Sequence, residues 1–106
     1  MMDLLFKAFA DQTRLRILNL LSRKPLCVND IVKILNIHQP KVSRHLTYLK
    51  YAGLVKSRRD GVRMYYELDK PKSGMKKTLL DHFNKGIFQE VGLMQNDLRK
   101  LKERRN

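Results

Sequence analysis

Apolar positions recur with a helical period over most of the chain and with a period of two over one short central stretch. Leu4, Leu5, Ala8 and Phe9 mark a short first helix within residues 1–10. Asp11 then offers a capping oxygen to a second helix that carries Leu15, Ile17, Leu18 and Leu21. Pro25 breaks that run. A third helix starts around Cys27-Val28-Asn29-Asp30, buries Val28, Ile31, Ile34 and Leu35, and stops at Asn36, a residue that tolerates the left-handed conformation. Asp30 at the third helical position makes half of a capping box, with Cys27 in the cap seat. Only Ile37 and His38 intervene before the next pattern, in which Pro40 fits a first turn and Val42, Leu46 and Leu49 share one face until Gly53. Two helices joined this closely, over residues 28–52, predict a helix-turn-helix. The face opposite the buried one carries Lys41, Arg44, Thr47, Tyr48 and Tyr51.

After Gly53 the period drops to two. Leu54–Arg59 and Val62–Leu68 read as strands around Asp60-Gly61, a strong two-residue hairpin signal, so residues 54–68 form a wing. Pro71, Ser73 and Gly74 make a junction, with Ser73 placed to cap the last helical segment. Leu80, Phe83, Ile87, Val91, Met94, Leu98 and Leu101 then repeat at spacings of three and four, close to a heptad seam. A helix over residues 74–103 would be roughly 45 Å long, more than a small body can cover, so a second copy of the same helix is the expected partner. Gly86 and Gly92 interrupt its propensity. The expected fold is mainly α with a two-stranded β-wing: one winged helix-turn-helix domain over residues 1–106 with a long C-terminal dimerisation helix.

Charge narrows the function. The 106 residues carry 23 Lys and Arg against 10 Asp and Glu, a formal +13, which calls for a polyanion. Between His38 and Tyr66 there are seven Lys or Arg and one acid, so the excess concentrates on the helix-turn-helix and wing. At 42% hydrophobic residues the chain is no disordered basic tail. Asp3, Lys7 and Asp11 interrupt the N-terminus, which leaves no signal-peptide core, and no stretch approaches a membrane span. A single cysteine cannot form an internal disulfide, so a cytoplasmic protein is expected.

The run LFKAFADQTRLRILNLL, then CVNDIVKILNIHQPKVSRHLTYLKYAGLV, then RRDGVRMYYEL, resembles the ArsR-type winged-helix repressors across residues 4–68. The segments Gln39-Pro40-x-Val42-Ser43-x-His45-Leu46 and Tyr65-Tyr66-x-Leu68 carry the likeness. The resemblance implies a homodimer formed through the first and last helices, here Leu5, Phe9, Leu80, Phe83, Ile87, Val91, Met94 and Leu98. It implies a palindromic double-stranded DNA operator, with release by an inducer the sequence does not name. It places Gln39, Ser43 and Arg44 at bases and phosphates of the major groove, with Tyr48 on the same face. Arg44 stands where family members often have His, and its guanidinium can fork onto guanine. His38 falls at the cap near phosphate; Lys41, Arg58, Arg59 and Arg63 are expected to position the protein on the phosphate backbone.

The family's effector sites are not matched, and no metal or cofactor is expected. The arsenical site needs a Cys-x-Cys pair, whereas this chain has Cys27-Val28-Asn29. The zinc site on the last helix falls in one register on Lys70, Lys72, Phe83 and Gly86; sliding it to Asp81 puts Phe83 and Met94 at the imidazole positions. His45 is expected to pack at the edge of the core and His82 to lie on the surface. No nucleophile–base spacing suggests an enzyme. Three other readings stay open: a thiol- or redox-responsive repressor using Cys27, a non-specific architectural DNA- or RNA-binding protein, and an interaction module whose long helix pairs with a different protein.

Overall fold

Helix α1 (Met2–Ala8) gives way to a turn at Phe9 and Ala10, and Asp11 restarts the helical path. The computed structural model describes residues 2–70, 74–82 and 92–104. Asp11 is extended and accepts from the Arg14 amide at 3.0 Å, capping α2 (Gln12–Leu21). Burial alone would push the Asp11 carboxyl up, but the amides of Arg14 and Thr13 and the charges of His45 and Arg14 hold it below its ordinary value. After Pro25 the chain forms a two-residue strand β1 (Leu26–Cys27), then α3 (Val28–Leu35). The capping box forms: Asp30 accepts from the Cys27 amide at 3.4 Å, and the Cys27 thiol donates to the same carboxylate at 3.1 Å. Asn36 closes α3 in the left-handed conformation, φ 57°.

Helix α4 (Gln39–Tyr51) ends in a Schellman motif. The amides of Gly53 and Leu54 bond back to the carbonyls of Lys50 and Leu49, each at 3.0 Å, and φ +79° at Gly53 is the conformation that motif requires. Strands β2 (Val55–Asp60) and β3 (Arg63–Leu68) pair antiparallel from Val55↔Leu68 to Asp60↔Arg63. The two central turn residues are therefore Gly61 and Val62, one step on from the expected pair; Gly61, at φ +65°, occupies the first central position as a type II′ turn demands. The wing sheet also has three strands rather than the expected two. Leu26 and Cys27 pair with Tyr66 and Tyr65, giving the order β1-β3-β2. Two residues are too short a run to show a period of two, which hides this strand in the sequence.

Ile17, Leu18, Leu20, Leu26, Ile31, Ile34, Val42, Leu46, Leu49 and Leu54 are fully buried and tie α2, α3, α4 and the base of the wing into one core.

Part of the expected partner seam packs within this chain. The C-terminal segment is described as α5 (Met75–His82) and α6 (Gly92–Glu103); Phe83, Ile87, Val91, Ser73, Gly86 and the side chain of Met94, on which the expected helix over residues 74–103 and its seam depend, lie outside the described residues. Leu80 and Leu101 are buried in this chain's own core, and Leu98 packs against it. Leu5 and Phe9 are likewise buried there, at 5% and 8% exposure, and have little surface left for a partner. Helix α6 docks on α2 and α3. Asp97, with no exposed side-chain surface, accepts from Arg16 Nε at 2.8 Å and Arg16 Nη2 at 3.0 Å, a bidentate pair. Arg104 beyond α6 reaches Asp30 in the α3 capping box. Burial pushes Asp30 up, yet the Cys27 thiol and amide and the Arg104 guanidinium outweigh it and hold the carboxyl below its usual range.

Candidate nucleic-acid interface

Helix α4 turns Val42, Leu46 and Leu49 into the core, which forces the intervening positions outward. Gln39, Lys41, Arg44, Thr47, Lys50 and Tyr51 are exposed on it, and Tyr51 keeps 84% of its surface. Gln39 Nε2 donates to Ser43 Oγ at 2.7 Å one turn on. That bond fixes the amide plane and leaves its second N–H and its carbonyl oxygen for another partner. His38 sits exposed at the cap position, with no capping bond from its side chain.

The wing lies beside the helix. Lys50 Nζ donates to Ser57 Oγ on β2 at 2.8 Å, joining the end of α4 to the base of the hairpin. Arg59 and Arg63 are exposed near the tip, and Val62 between them retains 94% of its surface. Among the described residues, Lys41, Arg44, Arg59 and Arg63 have no ion-pair partner, so their charge faces solvent. Arg58 differs: its Nε donates to Glu67 at 2.9 Å and its guanidinium lies 5.3 Å from the Tyr65 ring. Part of its charge is satisfied within the wing.

Tyr48 leaves the expected face. It is half-buried against the core, with the Arg14 guanidinium 4.2 Å from its ring centroid. Positions 45 and 48 share one flank of the buried stripe, so both turn toward α2. Arg14 joins three helices there. It donates from Nη2 and Nε to the last carbonyls of α1, Lys7 at 2.6 Å and Ala8 at 3.1 Å, and its Nη1 lies 3.4 Å from His45 Nδ1. Arginine has no acceptor, so this contact requires a lone pair on Nδ1. Burial first, and then the charges of Arg14, Lys41 and Arg44, hold the His45 pKa below its ordinary 6.5, against the pull of Asp11.

A depressed histidine pKa stabilises the fold fully above the unfolded value and loses that contribution as pH falls through it. The urea midpoint is therefore expected to drop as pH falls from about 7 toward 5, and His45→Gln should flatten that segment of the profile. An unchanged slope would show that His45 does not couple protons to folding.

Cys27 is buried and makes the contacts of a helix cap. Among the described residues no group of three or more His, Cys, Asp or Glu is placed to hold a metal ion, and no helix is long and apolar enough to cross a membrane. His82 is exposed on α5. Sequence reasoning missed Arg14, Arg16, Asp97 and Arg104, whose partners lie as far as 81 residues away and leave no local signal.

A helix-turn-helix with a basic wing is a common architecture, and comparison with known proteins decides which family it represents. Residues 11–57 match the model of "Bacterial regulatory protein, arsR family". A helix-turn-helix transcriptional regulator of Methanocaldococcus jannaschii is 48% identical over 67 residues, covering 61% of this chain and 75% of that protein. The chain belongs to the arsR family of bacterial regulatory proteins. The arsenical resistance operon repressor of Escherichia coli is 48% identical over 65 residues, 60% of this arsR-family chain, though the match spans only 56% of the repressor's own length. A homodimeric winged helix-turn-helix DNA-binding domain from Mycobacterium bovis superposes with a TM-score of 0.67 at 25% identity, over 99% of this chain and 87% of that one. Within the arsR family match, residues 11–57 contain α2 through α4 and the start of β2, the elements that set the exposed basic face.

Proposed function

We propose that this protein is a cytoplasmic, sequence-specific DNA-binding repressor that acts as a homodimer on a palindromic operator and performs no catalysis. The observation that carries this reading is the set of solvent-facing cations, Lys41 and Arg44 on α4 with Arg59 and Arg63 on the wing, two elements that Lys50 and Ser57 tie together. Helix α4 has the width and polarity to enter a major groove, where Gln39 suits adenine and Arg44 suits guanine. Ser43 orients the Gln39 amide. His38, Lys41, Arg59 and Arg63 contact phosphate, and Arg58 does so while shared with Glu67. Tyr48 supports α4 from behind through Arg14. The Escherichia coli and Mycobacterium bovis proteins, a repressor and a homodimeric DNA-binding domain by their names, favour the same activity here. Phe6 on α1 and Met75 on α5, both large and about half exposed, supply apolar surface for a second copy, and the sequence pattern adds Phe83, Ile87, Val91 and Met94 to the proposed seam.

The test is salt dependence. With three or four phosphate contacts per protomer, a dimer neutralises roughly 6–8 phosphates, and log K against log salt should slope near −5 to −7. A slope shallower than about −2 would remove duplex DNA as the main partner.

A further inference from the structure

A cavity of about 470 Å³ lies between the N-terminus of α3, the tip of the wing and the residue that follows α6. Among the described residues its charged lining consists of Lys33, Arg63 and Arg104 against the carboxylate of Asp30, a surplus of two positive charges. Arg104 pairs with Asp30 through Nη2, and its buried Nε has no hydrogen-bond partner among the described residues. Val28, Val62 and Met64 add an apolar wall. The volume suits a small organic molecule.

We propose that this cavity binds a small dianion, a phosphate monoester or a molecule of like charge, and that binding weakens the hold on DNA. Resting on the DNA-binding reading above, this names the chemical class of the releasing signal. The link is Arg63. The same side chain lines the cavity and belongs to the set proposed for phosphate contact, and a dianion beside Lys33 and Arg104 competes with DNA phosphate for it. The ligand also contributes negative charge next to the wing tip, which repels the duplex backbone within a Debye length of about 8–10 Å.

Titration calorimetry with inorganic phosphate and with phenyl phosphate, without DNA and at an ionic strength held constant with sodium chloride, tests the site. Saturable binding on the order of millimolar is expected for phosphate, tighter for phenyl phosphate, and at least about fivefold weaker in Lys33→Met, an exposed substitution that leaves the core intact. Arg104→Met should weaken it as well. Absence of saturation, or equal affinity in both variants, overturns the site. Fluorescence anisotropy of a labelled duplex tests the coupling. Phenyl phosphate should lower duplex affinity of the wild type by a larger factor than that of Lys33→Met, each compared with its own affinity without the anion. Equal responses would reduce the effect to ionic screening and overturn the coupling. A wild type that binds no duplex even without the anion would overturn the DNA-binding reading and the coupling with it, while the titration without DNA would still decide the cavity.

Discussion

Arg16→Ala is expected to lower the free energy of unfolding by about 3–5 kcal/mol, the cost of leaving a buried carboxylate without its partner. Asp97 has no exposed side-chain surface, and both of its oxygens are held by Arg16 across 81 residues of sequence. Removing the guanidinium leaves α6 two courses: keep an unpaired charge buried, or lift off α2 and expose Leu98 and Leu101. Either lowers the urea midpoint, and lifting also changes the denaturant slope because less surface is buried in the native state. Replacing both partners, Arg16→Met with Asp97→Leu, should recover most of the loss, since an apolar pair of similar volume satisfies the same space without desolvated charge. A single-variant cost below about 1 kcal/mol would mean that α6 does not dock on its own chain as described.

The second large effect concerns DNA. Arg44→Ala should cost about 1–3 kcal/mol on the cognate sequence and relax preference at one base position, because a guanidinium forked onto guanine is lost there. Arg63→Ala should instead weaken all sequences about equally and make the salt slope shallower by about 1 per protomer. The contrast separates reading from positioning within one basic surface. Anisotropy on cognate and scrambled duplexes measures both; an Arg44→Ala protein with unchanged affinity and preference would remove α4 from the groove.

The parts of this structure that rest on local rules are legible in the sequence. Asp11, the Cys27–Asp30 box, Asn36 and Gly53 each close a helix through bonds to residues within five positions, so spacing alone locates them. The stripe Val42, Leu46, Leu49 fixes which side of α4 is exposed, and with it most of the candidate site. Tyr48 departs from its expected face because a residue at the flank of a stripe faces whatever its neighbour offers, here Arg14. The cover over α6 is hidden in the sequence for a related reason. Heptad-like spacing shows that Leu80, Leu98 and Leu101 need cover, but it does not say whose surface supplies it; Arg16 and Asp97, which settle that question for α6, look like ordinary surface charges in the sequence. The strand Leu26–Cys27 is too short to show a period. The cavity beside the wing depends on Arg104 meeting Asp30 across 74 residues, which no linear pattern shows.

Selection of duplexes from a random pool by the purified protein, with sequencing of the retained fraction, tests the central claim most directly. The account predicts enrichment of one two-fold symmetric sequence with half-sites about one helical turn apart, with a base-pair preference that Arg44→Ala relaxes. A retained pool with no enriched sequence, bound as tightly as the starting pool, would contradict sequence-specific recognition by α4 and leave only a basic protein that adheres to DNA.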